Sequence, residues 1–220
     1  MKLEILNTSV VVSAKHHNPT ILHPSFLTSE GIVPLDWETV EVVCTPVFAM
    51  VKYKNGIVFN VQENNFQVTE NKIEDDFRNS QVADLACKYA QKLPYVHYSA
   101  VGVNFSGFIE CSNAEKTVIE QFLKTKSADF NDIQPKALGL RFVYDLPDAR
   151  LRLSLDAGIV KRPGSEKERN GLLVNANYHM DLPDSNRTER TKGIKKTTSL
   201  FIQHCDNFIK VTGSIFALEA

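Results

Sequence analysis

The sequence lacks the signatures of several common function classes. It has only 10 glycines, and none falls in the GxGxxG or GxxxxGK[ST] spacing that lets backbone N–H groups bind phosphate. Its 4 cysteines form no CxxC pair, so we expect free thiols in a reducing compartment. No apolar run reaches the ~18 residues that a membrane-spanning helix needs. These absences argue against a phosphate-binding loop, a disulfide scaffold and a membrane protein.

Charge and length describe an ordinary globular chain. The 220 residues include 25 Lys and Arg against 26 Asp and Glu, so the net charge is only −1 and draws the protein to no polyanion. The first residues, MKLEILNTSVVVSAKHHNP, hold an apolar patch that is too short for a signal peptide. We therefore expect a cytoplasmic protein folded as one domain over residues 1–220, without contact to a membrane.

The last third of the sequence gives the clearest structural pattern. Apolar and polar residues alternate over residues 138–146, 151–159 and 172–182, which predicts a three-stranded antiparallel meander with one dry face. Upstream, TVEVVCTPVFAMVKY, IVFNVQ and FQVTE predict a second three-stranded meander, with Asn55-Gly56 as a hairpin turn. YVHYSAVGVNFSGFIE is apolar on both faces and predicts a central strand.

Helical periodicity begins near Ser80, near Ala114 and near Lys196, with Gly213 ending the last segment. The predicted fold class is α+β: a largely antiparallel sheet of two three-stranded meanders plus a central strand, with about three helices packed on one side.

A proline-containing arm at about 15–38 interrupts the regular pattern. Three prolines prevent a continuous helix or a central strand there. The arm also carries large apolar side chains, namely Ile21, Phe26, Leu27 and Trp37. Either the arm packs down as an ordered segment, or these side chains dock onto a partner, since exposed apolar patches mark contact sites.

The polar face of the last meander is the main candidate site. Its predicted members are Arg141, Arg152, Asp156, Asn175, Asn177 and His179. Arginine, histidine and carboxylate on one surface could bind an anion or act as an acid–base site, the latter if a concave pocket holds His179 and Arg152. A solvated sheet face carries such residues without any function, and that interpretation is favoured.

A basic segment follows the meander. Residues Arg187, Arg190, Lys192, Lys195 and Lys196 face a single nearby acid, Glu189. A mobile basic loop of this kind could follow a phosphate backbone, although no aromatic residue is interleaved to stack on bases. Solvation alone also explains such a loop.

No catalytic residue, metal ligand set or cofactor is assigned. His16, His17 and His23 lie close together but lack a partnering Cys or HxxxH motif. Ser106 lies in NFSGF, which is not the GxSxG of a nucleophile turn.

Several segments carry a resemblance across most of the chain. The runs NPTILHPSFLTSEGIVPLDWE, CTPVFAMVKYKNGIVF and LPYVHYSAVGVNFSGF resemble conserved hypothetical bacterial proteins of unknown function. LGLRF and SLFIQHCDNFIKV are similar to a sporadically distributed prokaryotic family of uncharacterised α+β proteins. The resemblance implies a bacterial cytoplasmic origin and supplies no functional residue.

The leading hypothesis is a non-enzymatic protein-interaction subunit of a larger or self-associated complex. The alternative is a nucleic-acid-binding protein that uses the basic segment at 187–196. A hydrolytic or transferase site on the polar sheet face is the third hypothesis.

Overall fold

One antiparallel sheet of nine strands organises the computed structural model, which describes residues 2–71, 76–123, 131, 133–161, 167–184 and 186–216. The strands are β1 (Leu3–Lys15), β2 (Thr39–Cys44), β3 (Phe48–Tyr53), β4 (Ile57–Gln62), β5 (Asn65–Glu70), β6 (His97–Glu110), β7 (Leu140–Asp145), β8 (Arg150–Lys161) and β9 (Glu168–Asp181). Their order across the sheet is β2-β3-β4-β5-β1-β6-β9-β8-β7. The long strands β1 and β6 therefore join two meanders at the centre.

The final meander matches its prediction. Strands β7, β8 and β9 pair in sequence order, and the alternating apolar residues share one face. Leu153, Val174 and Tyr178 on that face are fully buried. Period-2 alternation thus identified both the strands and the side that is removed from water.

The first meander has four strands instead of the predicted three. TVEVVCTPVFAMVKY, expected as one strand, divides into β2 and β3 at a tight turn. The Thr45 N–H donates to the Phe48 carbonyl at 2.9 Å, and the Thr45 hydroxyl donates to the same oxygen at 2.7 Å. Pro46 lies in this turn, where it needs no ladder hydrogen bond.

The helices all pack on the dry face of the sheet. They are α1 (Pro24–Ser29), α2 (Val82–Lys92), α3 (Ala114–Phe122), α4 (Arg187–Ser199) and α5 (Phe201–Phe216), five in the described ranges where about three were expected. Ring contacts fix them to the strands: Tyr89 of α2 lies 4.5 Å from Phe66, and Phe208 of α5 lies 5.5 Å from Phe105, centroid to centroid. The core lies between this helical layer and the sheet.

The basic segment at 187–196 is a helix, which corrects the prediction of a mobile loop. The Asn186 side chain accepts the Glu189 N–H at 3.1 Å and caps α4. The buried face of α4 consists of Ile194, Thr197 and Thr198. Only one of these is apolar, so hydrophobic periodicity gave no sign of a helix.

The predicted closing helix is also different in its bounds. It begins at Phe201 instead of near Lys196 and continues through Gly213 to Phe216. A β-carbon at Gly213 would meet nothing within 4 Å, so this glycine faces open space. A solvent-facing helical glycine lowers stability by about 1 kcal/mol but does not end a helix that is held by packing.

The proline-containing arm packs against the core. Leu27 is fully buried, and Phe26 contacts Tyr89 edge-on with ring centroids 6.1 Å apart. Trp37 contacts Tyr53 at 5.2 Å, and Ile21 is half-buried. The arm is therefore the ordered segment of the first interpretation, and these apolar side chains are not a free docking surface.

Candidate functional site

The face of the sheet opposite the helices carries two polar rows across its central strands. Strand register places Ser9, Asn104, Asn177 and Arg152 in one row, and Ser106, Asn175, Ser154 and Arg141 in the next. We call this surface the open face. It arises because residues at period 2 alternate between the core and this side.

Hydrogen bonds between strands order the floor of the open face. The Asn177 amide donates to the Asn104 side-chain oxygen at 2.6 Å, and the Ser106 hydroxyl donates to the Asn175 side-chain oxygen at 2.8 Å. Both bonds join β6 to β9. The amides are thereby held in fixed orientations. Binding of a ligand to them therefore costs little additional side-chain entropy.

Gly102 makes room for one of these amides. A β-carbon at Gly102 would lie 2.8 Å from the Asn177 side-chain nitrogen. The missing side chain lets Asn177 lean across β6 toward Asn104. This glycine therefore has a steric role on the open face.

Arg141 and Arg152 stand beside the amide floor. A cavity of about 400 Å³ lies between them, and its polar lining is Asn104, Ser106, Arg141, Arg152, Ser154, Asn175 and Asn177. Both arginines are exposed, and neither forms an ion pair with a carboxylate in the part of the chain that the structure describes. The cavity thus combines two uncompensated guanidinium groups with neutral donors and acceptors, a set that suits an anion.

Four of the six residues predicted on this face line the cavity, and two do not. The His179 ring donates to or accepts from its neighbour Asp181 at 3.0 Å, outside the cavity. Asp156 lies beside Gly139, where a β-carbon would be 2.7 Å from its carboxylate. The acid–base hypothesis needed His179 and Arg152 in one pocket, and this cavity does not provide that pair. Asn104, which the sequence did not single out, and Ser106, which it considered only as a nucleophile, complete the site through the β6–β9 pairing.

A third arginine on the same face is held by two carboxylates. Arg169 donates to both carboxylate oxygens of Glu4, at 2.7 and 3.1 Å, and reaches Glu110 at 3.4 Å. Its guanidinium lies 5.0 Å from the centroid of the buried Phe108 ring. The hydrogen bonds to Glu4 raise the pKa of Arg169 above its ordinary value. Arg169 is a structural clamp, and the sequence reasoning did not identify it.

The basic residues of α4 separate into different environments. Arg187 stacks over the Tyr95 ring at 4.5 Å, and Tyr95 itself is 83% exposed. Lys192 pairs with Glu189 at 2.9 Å and Lys196 with Asp148 at 3.3 Å.

A groove of about 300 Å³ between α2 and α4 is lined by Gln91, Pro94, Arg187, Thr188, Thr191, Lys192 and Lys195. Arg190 is half-buried and lies outside this groove. The basic segment has no aromatic residue of its own, and Tyr95, from a distant part of the chain, provides one beside Arg187.

Buried titratable groups give no sign of a reactive centre. Burial lowers the pKa of His17 to about 4, and its ring bonds the Tyr89 hydroxyl at 3.0 Å. Burial raises the pKa of Cys205 to about 12, so this thiol stays neutral. In the described ranges, no three His, Cys, Asp or Glu side chains are grouped to hold a metal ion, and no helix is long and apolar enough to cross a membrane.

Comparison with known proteins adds no family. The chain matches no protein-family model, and no curated protein shows significant similarity to it. The geometry of the open face and of the α2–α4 groove is therefore the basis for the functional proposal.

Proposed function

We propose that the protein is a non-enzymatic interaction subunit whose open face binds an acidic segment of a partner protein. The observation that carries this proposal is the pair Arg141 and Arg152, which flank one cavity without a carboxylate partner in the described ranges. Arginine is enriched at the centres of protein interfaces because its planar guanidinium binds carboxylates through two parallel hydrogen bonds.

The charge of the site favours a carboxylate-bearing ligand. Among the described residues, those that line the cavity include two arginines and no acidic side chain. An incoming Asp or Glu would meet both guanidinium groups and the amide donors of Asn175 and Asn177. Charge-assisted hydrogen bonds of this type contribute about 1.5–3 kcal/mol each.

The shape of the site favours a macromolecule over a small ligand. The cavity lies on the face of a sheet and is lined by side chains of four adjacent strands, β6, β9, β8 and β7. Small-molecule sites are typically clefts that enclose most of the ligand's surface. A polar surface on an uncovered sheet is better suited to the broad contact of a protein partner.

The composition of the site supports binding without chemistry. In the part of the chain that the structure describes, no histidine, cysteine or carboxylate that could act as a general base lines the cavity. The one nearby serine hydroxyl on β6, Ser106, donates its hydrogen bond to Asn175. A nucleophile therefore has no activating partner in the cavity.

A labelled glutamate-rich peptide tests the proposal by fluorescence anisotropy, with a glutamine-rich peptide of equal length as control. We expect Arg141→Gln with Arg152→Gln to weaken binding of the acidic peptide by about 100-fold, since two charge-assisted bonds are lost. Arg187→Gln, a matched change outside the open face, should leave the affinity unchanged. Equal affinity for the two peptides, or an unaffected double variant, would contradict the proposal.

A second candidate function is single-stranded nucleic-acid binding in the α2–α4 groove. The observation that favours it is the exposed Tyr95 ring beside Arg187, with Lys192 and Lys195 along the same groove. Aromatic stacking and cationic side chains together are the usual means of binding single strands. Binding of a labelled oligonucleotide should then fall steeply with salt, and Tyr95→Ala should weaken it at least about fivefold. An affinity that Tyr95→Ala does not change would remove this candidate.

A further inference from the structure

The two edge strands of the sheet differ in how well they resist pairing with another strand. Strand β7 at one edge carries Arg141 and Asp145, and Asp145 pairs with Arg150 at 2.8 Å. Strand β2 at the other edge exposes 58% of Val40 and 43% of Val42. Charged side chains and β-bulges are standard protections of a sheet edge. Strand β2 has one charge, Glu41, and its register with β3 shifts between Thr39 and Glu41, so its regular ladder covers residues 41–44. The edge at β2 is therefore open to strand addition over this regular stretch.

Backbone geometry shows which groups of β2 face outward. The Thr45 N–H donates to the Phe48 carbonyl at 2.9 Å, so this pair is hydrogen-bonded across the β2–β3 hairpin. Hydrogen-bonded and non-hydrogen-bonded pairs alternate along an antiparallel ladder. Cys44 and Val42, paired with Ala49 and Val51, therefore direct their N–H and C=O groups away from β3. These groups can only be satisfied by water or by another strand.

We propose that β2 pairs antiparallel with β2 of a second copy of this chain, about a two-fold axis at Val42. In this register Val42 faces the partner's Val42, and the ladder covers residues 41–43 of each copy, which belong to the regular part of β2. The pairing joins two sheets edge to edge and places the two Val42 side chains against each other. It uses residues different from those of the open face, so it stands or falls independently of the proposed function.

Charge and symmetry favour a second copy as the occupant. The register places Glu41 opposite the partner's Val43, so no like charges meet directly across the interface. Within its own copy Glu41 lies opposite Lys52 of β3, which compensates its charge. Because the axis maps the strand onto itself, one apolar strand satisfies both halves of the contact, as in most homodimers. The Val42 side chain of each copy lies on the dry side of the sheet, beside the dry face of the other copy.

Light scattering coupled to size-exclusion chromatography tests this proposal across a range of protein concentrations. We expect a species of twice the 24.7 kDa chain mass. Val42→Lys should raise the dimer dissociation constant at least about tenfold, because the lysine at the axis would be buried directly opposite the same lysine of the second copy. Val143→Lys, at a valine that is 56% exposed on the opposite edge, is the matched control and should leave the dimer intact. A wild-type protein that stays at the chain mass at its highest soluble concentration would overturn the proposal.

Disulfide trapping tests the register. In a Cys44→Ser background, Val42→Cys should form a cross-linked dimer on mild oxidation. Paired residues at the axis of an antiparallel ladder have Cα atoms about 5.5 Å apart, within the range of a disulfide. Val143→Cys should give no such product. A dimer that Val42→Lys does not weaken and Val42→Cys does not trap would be formed by another surface, and the proposal would be wrong.

Discussion

Arginines lie beside two different parts of β9 on the open face, and they have opposite surroundings. Arg169 near the start of the strand bonds Glu4 and Glu110 and covers Phe108, and only 12% of its side chain is exposed. Arg141 and Arg152, level with Asn175 and Asn177 further along β9, are exposed and line a cavity. The same residue type on the same face is a structural clamp in one place and an uncommitted cation in the other.

The difference teaches how to separate a structural polar group from a candidate binding group. A guanidinium that already pairs with two carboxylates gains little from a further anion, because its charge is compensated. A guanidinium without a carboxylate keeps its donors for an external ligand. Position on a solvated sheet face does not distinguish these cases, whereas the partners of each side chain do.

Alanine substitution of two glycines, Gly171 and Gly102, tests this comparison and should give the largest effect on stability. At Gly171 a β-carbon would lie 2.5 Å from the Phe108 ring and would also clash with the Ile109 carbonyl, so the backbone itself must shift. We expect Gly171→Ala to lower the free energy of unfolding by about 3 kcal/mol. At Gly102 the obstacle is the movable Asn177 amide, and Gly102→Ala should cost no more than about 1 kcal/mol, the value of one hydrogen bond.

Urea unfolding of the two alanine variants checks this expectation. The peptide affinity of Gly102→Ala should fall even though the fold persists, since the displaced Asn177 no longer bonds Asn104. Equal stability losses at the two glycines would mean that the two ends of the face are packed alike.

Truncation of single arginines should give the smaller effect. Arg169→Ala removes the guanidinium that bonds Glu4 and Glu110 and uncovers Phe108, so the urea midpoint should fall clearly. Arg152→Ala removes a side chain with no ion pair in the described ranges and should leave the midpoint unchanged. A variant of Arg152 as destabilising as that of Arg169 would show that Arg152 has a structural role.

The fold was predictable where side chains repeat with a clear period. Leu153 and Tyr178 belong to alternating runs, and both are buried as expected. Helix α4 was missed because its buried face relies on threonines, whose hydroxyls bond carbonyls of their own helix, as Thr198 does with Ile194 at 3.0 Å. A threonine whose hydroxyl bonds a carbonyl of its own helix can be buried, but it adds nothing to the hydrophobic periodicity of the sequence.

The candidate site was predictable only within one meander. Arg141, Arg152, Asn175 and Asn177 lie on strands that are neighbours in sequence, so alternation alone placed them on one face. Asn104 joins them through the pairing of β6 with β9, and Tyr95 contacts Arg187, which is distant in the sequence. Such long-range pairings depend on the whole topology and leave no local pattern.

The central claim is that Arg141 and Arg152 are free to bind an acidic partner while Arg169 is not. The most direct measurement follows backbone amide chemical shifts while the glutamate-rich peptide is titrated into the isotopically labelled protein. We expect saturable shifts at Arg141, Arg152 and Asn177, with Arg169 and Gly171 unchanged. Shifts centred on Arg169, or none at the open face while the peptide binds elsewhere, would contradict the claim.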